Sequence, residues 1–225
     1  MAGTAAVLMV LSDKPGIAVI LILSAAIFDF LDGSAARLLH VTSETGKQLD
    51  SLADIVSFGL VPATFIYKIM LAVLENLPDD SAWNSSFAST TILVSILMVP
   101  SFSAIRLARF NIQKEGKSDF FGLPTPAHAL FWTGLYYDMM INGSIFGEIP
   151  GIWFMWVTMI IMAAMMLVPI PMLSLKFSNL KLRNNIYRYL VLGLGLLVLI
   201  ILFVPGFSIL ILLYILLSLV SIVLT

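Results

Sequence analysis

Apolar residues run through this chain in blocks of about twenty, and polar residues gather between them. Blocks of that length, closed by turn residues, predict membrane-crossing helices rather than a barrel. Met1 to Leu11 is apolar but short. At ~1.5 Å per residue it covers roughly half of a hydrocarbon core. It is read as the end of a first helix whose beginning lies outside this sequence, in preference to a re-entrant piece. Ser12-Asp13-Lys14-Pro15-Gly16 makes a turn. Further helices are expected from about Ile17 to Leu39, Gly46 to Leu74, Phe87 to Asn111, Pro124 to Ile141 and Gly151 to Leu173. Two last apolar runs, Tyr189 to Phe203 and Phe207 to Val223, are split by Pro205-Gly206. The expected fold is all-α, a polytopic transmembrane helix bundle. Residues 1–186 form the main membrane domain and 187–225 a C-terminal transmembrane hairpin.

Composition supports the same class. Of 225 residues, 60% are hydrophobic and only 11% charged, with a mean hydropathy of +1.04; a soluble domain carries about 25% charged residues. A net charge of -1 gives no reason to expect nucleic-acid binding. The absence of cysteine excludes disulfides, a thiol nucleophile and Cys-ligated zinc. Basic residues cluster in alternate loops: Arg37 and Lys47; Arg106, Arg109, Lys114 and Lys117; Lys176, Lys181, Arg183 and Arg188. The positive-inside rule puts those loops in the cytoplasm, with Lys14 as the exception. Lys68 falls late in its helix and is expected to snorkel towards the opposite surface.

One stretch breaks the apolar pattern. DFLDGSAARLLHVTSETGKQLDSLAD, residues 29 to 54, holds Asp29, Asp32, Asp50 and Asp54. Asp29 and Asp32 stand at i, i+3 and share one helix face. Asp50 and Asp54, at i, i+4, do the same on the next helix. The connection from Arg37 to Gly46 is short enough to fold the second helix beside the first, so the acids converge. Crowded carboxylates repel one another unless cations lie between them, and hard oxygen ligands suit Mg²⁺, Mn²⁺ or Ca²⁺. Acids at membrane depth are costly and usually functional. Gly33 and Ala36 lie one turn apart beside Asp29 and Asp32. Small side chains there admit a flat base to the backbone, or serve helix packing.

Asp29, Asp32, Gly33, Ala36, Arg37, Gly46, Asp50 and Asp54 together reproduce DxxDGxxARx8GxxxDxxxD. This pattern resembles the signature of the CDP-alcohol phosphatidyltransferases. The resemblance implies a six-helix phosphotransferase core, which the C-terminal hairpin extends. It implies Asp29, Asp32 and Asp50 as ligands of a divalent cation, Mg²⁺ or Mn²⁺, with Asp54 beside the metal as general base. It also implies cytidine nucleotide binding by Asp29, Gly33, Ala36, Arg37 and Gly46. Arg37 would meet a phosphate or fix a carboxylate.

Downstream, SLADIVSFGLVPA (51–63), RLARFN (106–111) and FFGLPTPA (120–127) resemble the phosphatidylserine synthase branch of that family, and SLKFSNLK (174–181) does so more weakly. That likeness implies phosphatidyl transfer from CDP-diacylglycerol to L-serine with release of CMP, at the cytoplasmic side of a bacterial or archaeal membrane, by a homodimer among membrane lipid. Arg106, Arg109 and Asn111 are then candidates for the acceptor carboxylate or the lipid phosphate. His128 is read as packed or water-facing, and His40 as a helix-end residue. Glycerol phosphate or inositol acceptors are the nearest alternatives. A membrane prenyltransferase would separate its acidic motifs widely. An ion-coupled transporter, which also binds cations with buried acids, would carry interrupted helices and an internal duplication.

Overall fold

A computed structural model describes residues 1–39, 43–75, 86–112, 121–141, 152–173 and 182–224. His40 and most of the expected polar loops, with Lys114, Lys117, Lys176 and Lys181, lie outside them. The described residues are helical apart from turns and one antiparallel bridge, Phe121 with Pro171. The all-α bundle is therefore the observed architecture. Four helical spans are long and apolar enough to cross a membrane: Pro15–Ala35, Glu44–Glu75, Leu93–Ile112 and Asn185–Leu202. Shorter apolar helices accompany them.

Helix α1 (Ala2–Leu11) turns through Ser12 and Asp13 into α2 (Pro15–Leu38). The next span is one continuous rod: α3 (Glu44–Asp54), a π-helical segment (Ile55–Leu60) and α4 (Val61–Glu75). The sequence predicts plain α-helix here. Pro62 explains the difference: its ring would collide with the Phe58 carbonyl four residues back, and it has no N–H to offer. The chain relaxes into a wider turn, with the Val61 N–H donating to the Val56 carbonyl, five residues back. Thirty-two residues at ~1.5 Å each make a rod of about 48 Å, longer than the ~30 Å hydrocarbon core. The polar α3, which has no buried residue, is the part that overhangs.

The helix expected over 87–111 is two: α5 (Ser86–Ile96) and α6 (Met98–Ile112), parted at Leu97. Pro100 excludes a regular bond to Ile96 and so sets the break. Helix α7 (Thr125–Ile141) starts where Pro124 predicts. Helix α8 (Ile152–Met165) stops well short of the expected Leu173. Pro169 and Pro171 bias the residues before them to extended backbone, and 168–173 is not helical. Helix α9 (Leu182–Leu202) begins ahead of the expected Tyr189 and is kinked at Asn185, whose side chain accepts from Arg188; α10 (Gly206–Leu224) closes the chain.

The core lies where α4 and α7 meet, with α1, α2 and α8 packed around them. Phe65 stacks on Tyr136 with ring centroids 4.2 Å apart, and Trp132 is fully buried beside Phe131. His128 is also fully buried: its Nε2 accepts from Trp132 Nε1 at 3.1 Å. Lys68 does reach the surface away from the acids, where it pairs with Asp13 at 2.5 Å. Asp13 is 81% exposed, so the pair contributes little to stability.

Helix α10 packs on α7 because Gly134 has no side chain. A Cβ there would stand 2.8 Å from the Ser208 backbone nitrogen, and Ser208 Oγ donates to the Phe131 carbonyl at 2.7 Å. Gly134→Ala is therefore expected to push α10 away and destabilise the fold by about 2 kcal/mol. Thermal unfolding in detergent measures this; an unchanged midpoint would show that the contact yields without cost.

Candidate active site at the α2–α3 junction

The acidic residues come together at one end of the bundle. Asp29 lies fourteen residues beyond Pro15 on α2, about 21 Å up the helix from the α1–α2 turn. Helix α3 restarts at Ser43, whose side chain caps it by accepting from the Gly46 N–H at 3.0 Å. That cap fixes the direction of α3, and so the direction of Asp50 and Asp54. One carboxylate oxygen from each of Asp29, Asp32 and Asp50 lies within 4.8 Å of the other two. Asp29 is half-buried, while Asp32 and Asp50 are exposed. Asp54, one turn deeper than Asp50, is half-buried, in side-chain hydrogen-bond contact with Asp29 and within electrostatic reach of Asp50 and Asp32. Two carboxyl groups that close hold either a proton or a cation between them. Oxygen-only donors, half of them open to water, form the set that a hard divalent cation takes.

The other expected site residues divide. Gly33 is half-buried on α2, one residue past Asp32. The side chains of Ala36 and Arg37, and so their expected nucleotide contacts, lie outside the described set. Gly46 is exposed in the first turn of α3, where its N–H serves the Ser43 cap. Arg106 is half-buried, and its Nε is fully buried with no hydrogen-bond partner among the described residues. Its charge is felt by both Tyr214 and Asp54. Arg109 is exposed, and its Nη1 donates to the Leu167 carbonyl at 3.1 Å. Asn111 Nδ2 donates to Ser51 Oγ at 2.7 Å. It thereby ties α6 to the helix that carries Asp50 and Asp54. Of the three residues expected at the acceptor, Arg106 combines a charge felt by Asp54 with a buried donor that has no partner among the described residues.

The sequence reading missed Tyr214 and Ser218. A signal was present: Tyr214, Ser218 and Ser221 recur at helical spacing in an otherwise apolar run. Polar residues on one face of a membrane helix mark the packed side.

Helical spans of this length, with oxygen donors collected at one end, define a multi-pass membrane protein with a carboxylate site suited to a hard cation. The chain belongs to the CDP-alcohol phosphatidyltransferase family, whose sequence pattern matches residues 1–175. Members of that family generally depend on a divalent cation. Similar proteins include the CDP-diacylglycerol–serine O-phosphatidyltransferase of Mycobacterium leprae, 36% identical over 166 residues, which is 70% of this chain and 50% of that protein. Those of the same name from Methanocaldococcus jannaschii and Bacillus subtilis are 36% identical over 132 residues and 33% identical over 112. These matches cover 59% and 48% of this chain, and 55% and 54% of the relatives. The chain spans about half the length of the curated relatives it matches.

Proposed function

We propose that this protein transfers a phosphatidyl group from CDP-diacylglycerol to L-serine and releases CMP. The observation that carries this reading is the trio of carboxylate oxygens from Asp29, Asp32 and Asp50, within 4.8 Å of one another and bordered by Asp54. The names of the relatives supply the acceptor. Residues 1–186 carry the transfer chemistry, and 187–225 form the added hairpin. The enzyme works as a homodimer, with its site at the cytoplasmic face of the membrane.

Asp29, Asp32 and Asp50, with Asp54 at the edge, would hold Mg²⁺ or Mn²⁺. A bound divalent cation supplies screening of the diphosphate and stabilisation of the leaving phosphate. Gly33, Ala36 and Gly46 leave room for the cytidine, Asp29 borders it, and Arg37 meets a phosphate. Asp54 takes the proton of the serine hydroxyl. The serine oxygen bonds to the phosphorus that carries diacylglycerol, the bond from that phosphorus to the CMP oxygen breaks, and CMP leaves. Arg106 binds the serine carboxylate through its guanidinium fork, while Arg109 and Asn111 brace the acceptor side.

The test is CMP release by the purified protein in mixed micelles of CDP-diacylglycerol, with and without divalent metal, across serine, glycerol phosphate and inositol. Release that depends on serine and metal is expected. Release with another acceptor instead would overturn the acceptor assignment, and no release under any condition would overturn the reaction. In the same assay Arg106→Lys should raise the serine KM about tenfold, because a lysine cannot form the paired bonds, with the CDP-diacylglycerol KM unchanged. An unchanged serine KM would remove Arg106 from the acceptor.

A further inference from the structure

The backbone between α8 and α9 presents a problem that α10 solves. Residues 166–173 leave the helix with Met166 and Met172 still buried, and a non-helical stretch in an apolar helix bundle must find partners for its carbonyls and N–H groups. It finds them on three sides. The Gly122 and Leu123 N–H groups donate to the Ile170 and Met165 carbonyls, each at 2.9 Å. Gly122 has φ +74, and a Cβ on it would meet the Met166 carbonyl at 2.7 Å, so this approach needs glycine. Arg109 takes the Leu167 carbonyl at 3.1 Å. Helix α10 takes both groups of Leu173: Tyr214 Oη donates to its carbonyl at 3.1 Å, and its N–H donates to Ser218 Oγ at 3.2 Å. Ser218 Oγ in turn donates to the Tyr214 carbonyl at 2.7 Å. Tyr214 and Ser218 stand one helical turn apart and grip this strap as a neighbouring strand would.

Tyr214 also reaches inward. Arg106 is near enough to both Tyr214 and Asp54 for charge to be felt. With its proton committed to Leu173, the phenol oxygen keeps only acceptor capacity, and the buried Arg106 Nε has no hydrogen-bond partner among the described residues. Both Tyr214 and Ser218 are buried, and both lie past the residues that the family pattern matches.

We propose that α10 completes the acceptor side of the site: Tyr214 and Ser218 are positioning residues that pin the 166–173 strap and hold Arg106 beside Asp54. The inference rests on the acceptor role given to Arg106 above. It assigns the C-terminal hairpin a part in substrate affinity, beyond filling the membrane.

The test uses the full chain with Tyr214→Phe, Ser218→Ala and Ser218→Thr. Tyr214→Phe removes one hydrogen bond to the strap and Ser218→Ala removes its bonds to Leu173 and to the Tyr214 carbonyl; each should raise the serine KM roughly three- to tenfold. The KM for CDP-diacylglycerol and the metal requirement should not move, and Ser218→Thr, which keeps a hydroxyl, should restore the parent value. Hydrogen exchange supplies a readout apart from turnover: the Leu173 amide should exchange about tenfold faster in Ser218→Ala. Should Tyr214→Phe fail to fold, the Ser218 pair carries the test. An unchanged serine KM in Ser218→Ala overturns the inference, whether or not exchange quickens. Equal losses for both substrates overturn it too, since they mean general loosening. If the parent accepts a different alcohol, the proposed function falls, and the same variants are judged on that alcohol's KM.

Discussion

Asp50→Asn should lower CMP release by about three orders of magnitude, the scale of several kcal/mol of lost charge stabilisation. The side chain is exposed, and it contributes one of the three carboxylate oxygens that approach within 4.8 Å. Asparagine keeps its shape and one carbonyl oxygen but withdraws a full negative charge from a hard-cation site. The fold should not suffer. Like charges crowd there, and removing one relieves repulsion in the metal-free protein. The unfolding midpoint in chelator should therefore hold or rise, while the upward shift that Mn²⁺ gives the parent should shrink or vanish. These opposite signs separate a lost metal ligand from a damaged structure. A variant that keeps both its turnover and its Mn²⁺ shift would remove Asp50 from the metal set.

The sequence exposed this site because acids are rare in an apolar chain and helical spacing leaves them few arrangements. Asp29 and Asp32 on one helix, and Asp50 and Asp54 on the next, had to share a face. The Ser43 cap shows how the junction is steered, though only the residue types, and not the angle, could be read in advance. Three of the unread features share a cause. They fall at prolines: Pro62 at the π-helical segment, Pro100 at the Leu97 break, Pro169 and Pro171 at the end of α8. Proline announces disruption without saying whether the helix widens, breaks or ends, since that depends on which neighbours bond the stranded backbone groups. At 167–173 those neighbours are Gly122, Arg109, Tyr214 and Ser218, far apart in sequence. Contacts of that range leave only a faint periodic trace in one chain.

That division also orders the candidate roles. Arg106 and Arg109 look alike in sequence, one turn apart and both basic. Packing distinguishes them. Arg109 spends a donor on the strap, whereas Arg106 keeps a buried donor near Asp54. An arginine that holds backbone fixes a wall, and one with an unspent donor is the better place for a substrate carboxylate.

Asp54→Asn isolates the chemical step from binding. Asp54 stands outside the trio of approaching oxygens but in hydrogen-bond contact with Asp29. An asparagine amide can still donate to Asp29 and hold the local geometry, while it cannot accept the proton of an attacking hydroxyl. Asp29, Asp32 and Asp50 keep their charges. The variant should therefore bind Mn²⁺ and CDP-diacylglycerol close to the parent's affinity, yet lose about 10²- to 10⁴-fold in turnover, the usual contribution of a positioned base. The loss should fall on kcat and leave the CDP-diacylglycerol KM in place, as expected for an interaction made only as the bond forms. Metal titration beside CMP release tests both halves. If turnover survives, the hydroxyl proton leaves by another route; if Mn²⁺ binding is lost with turnover, Asp54 is a fourth ligand, and its carboxylate is needed to assemble the site before any proton moves.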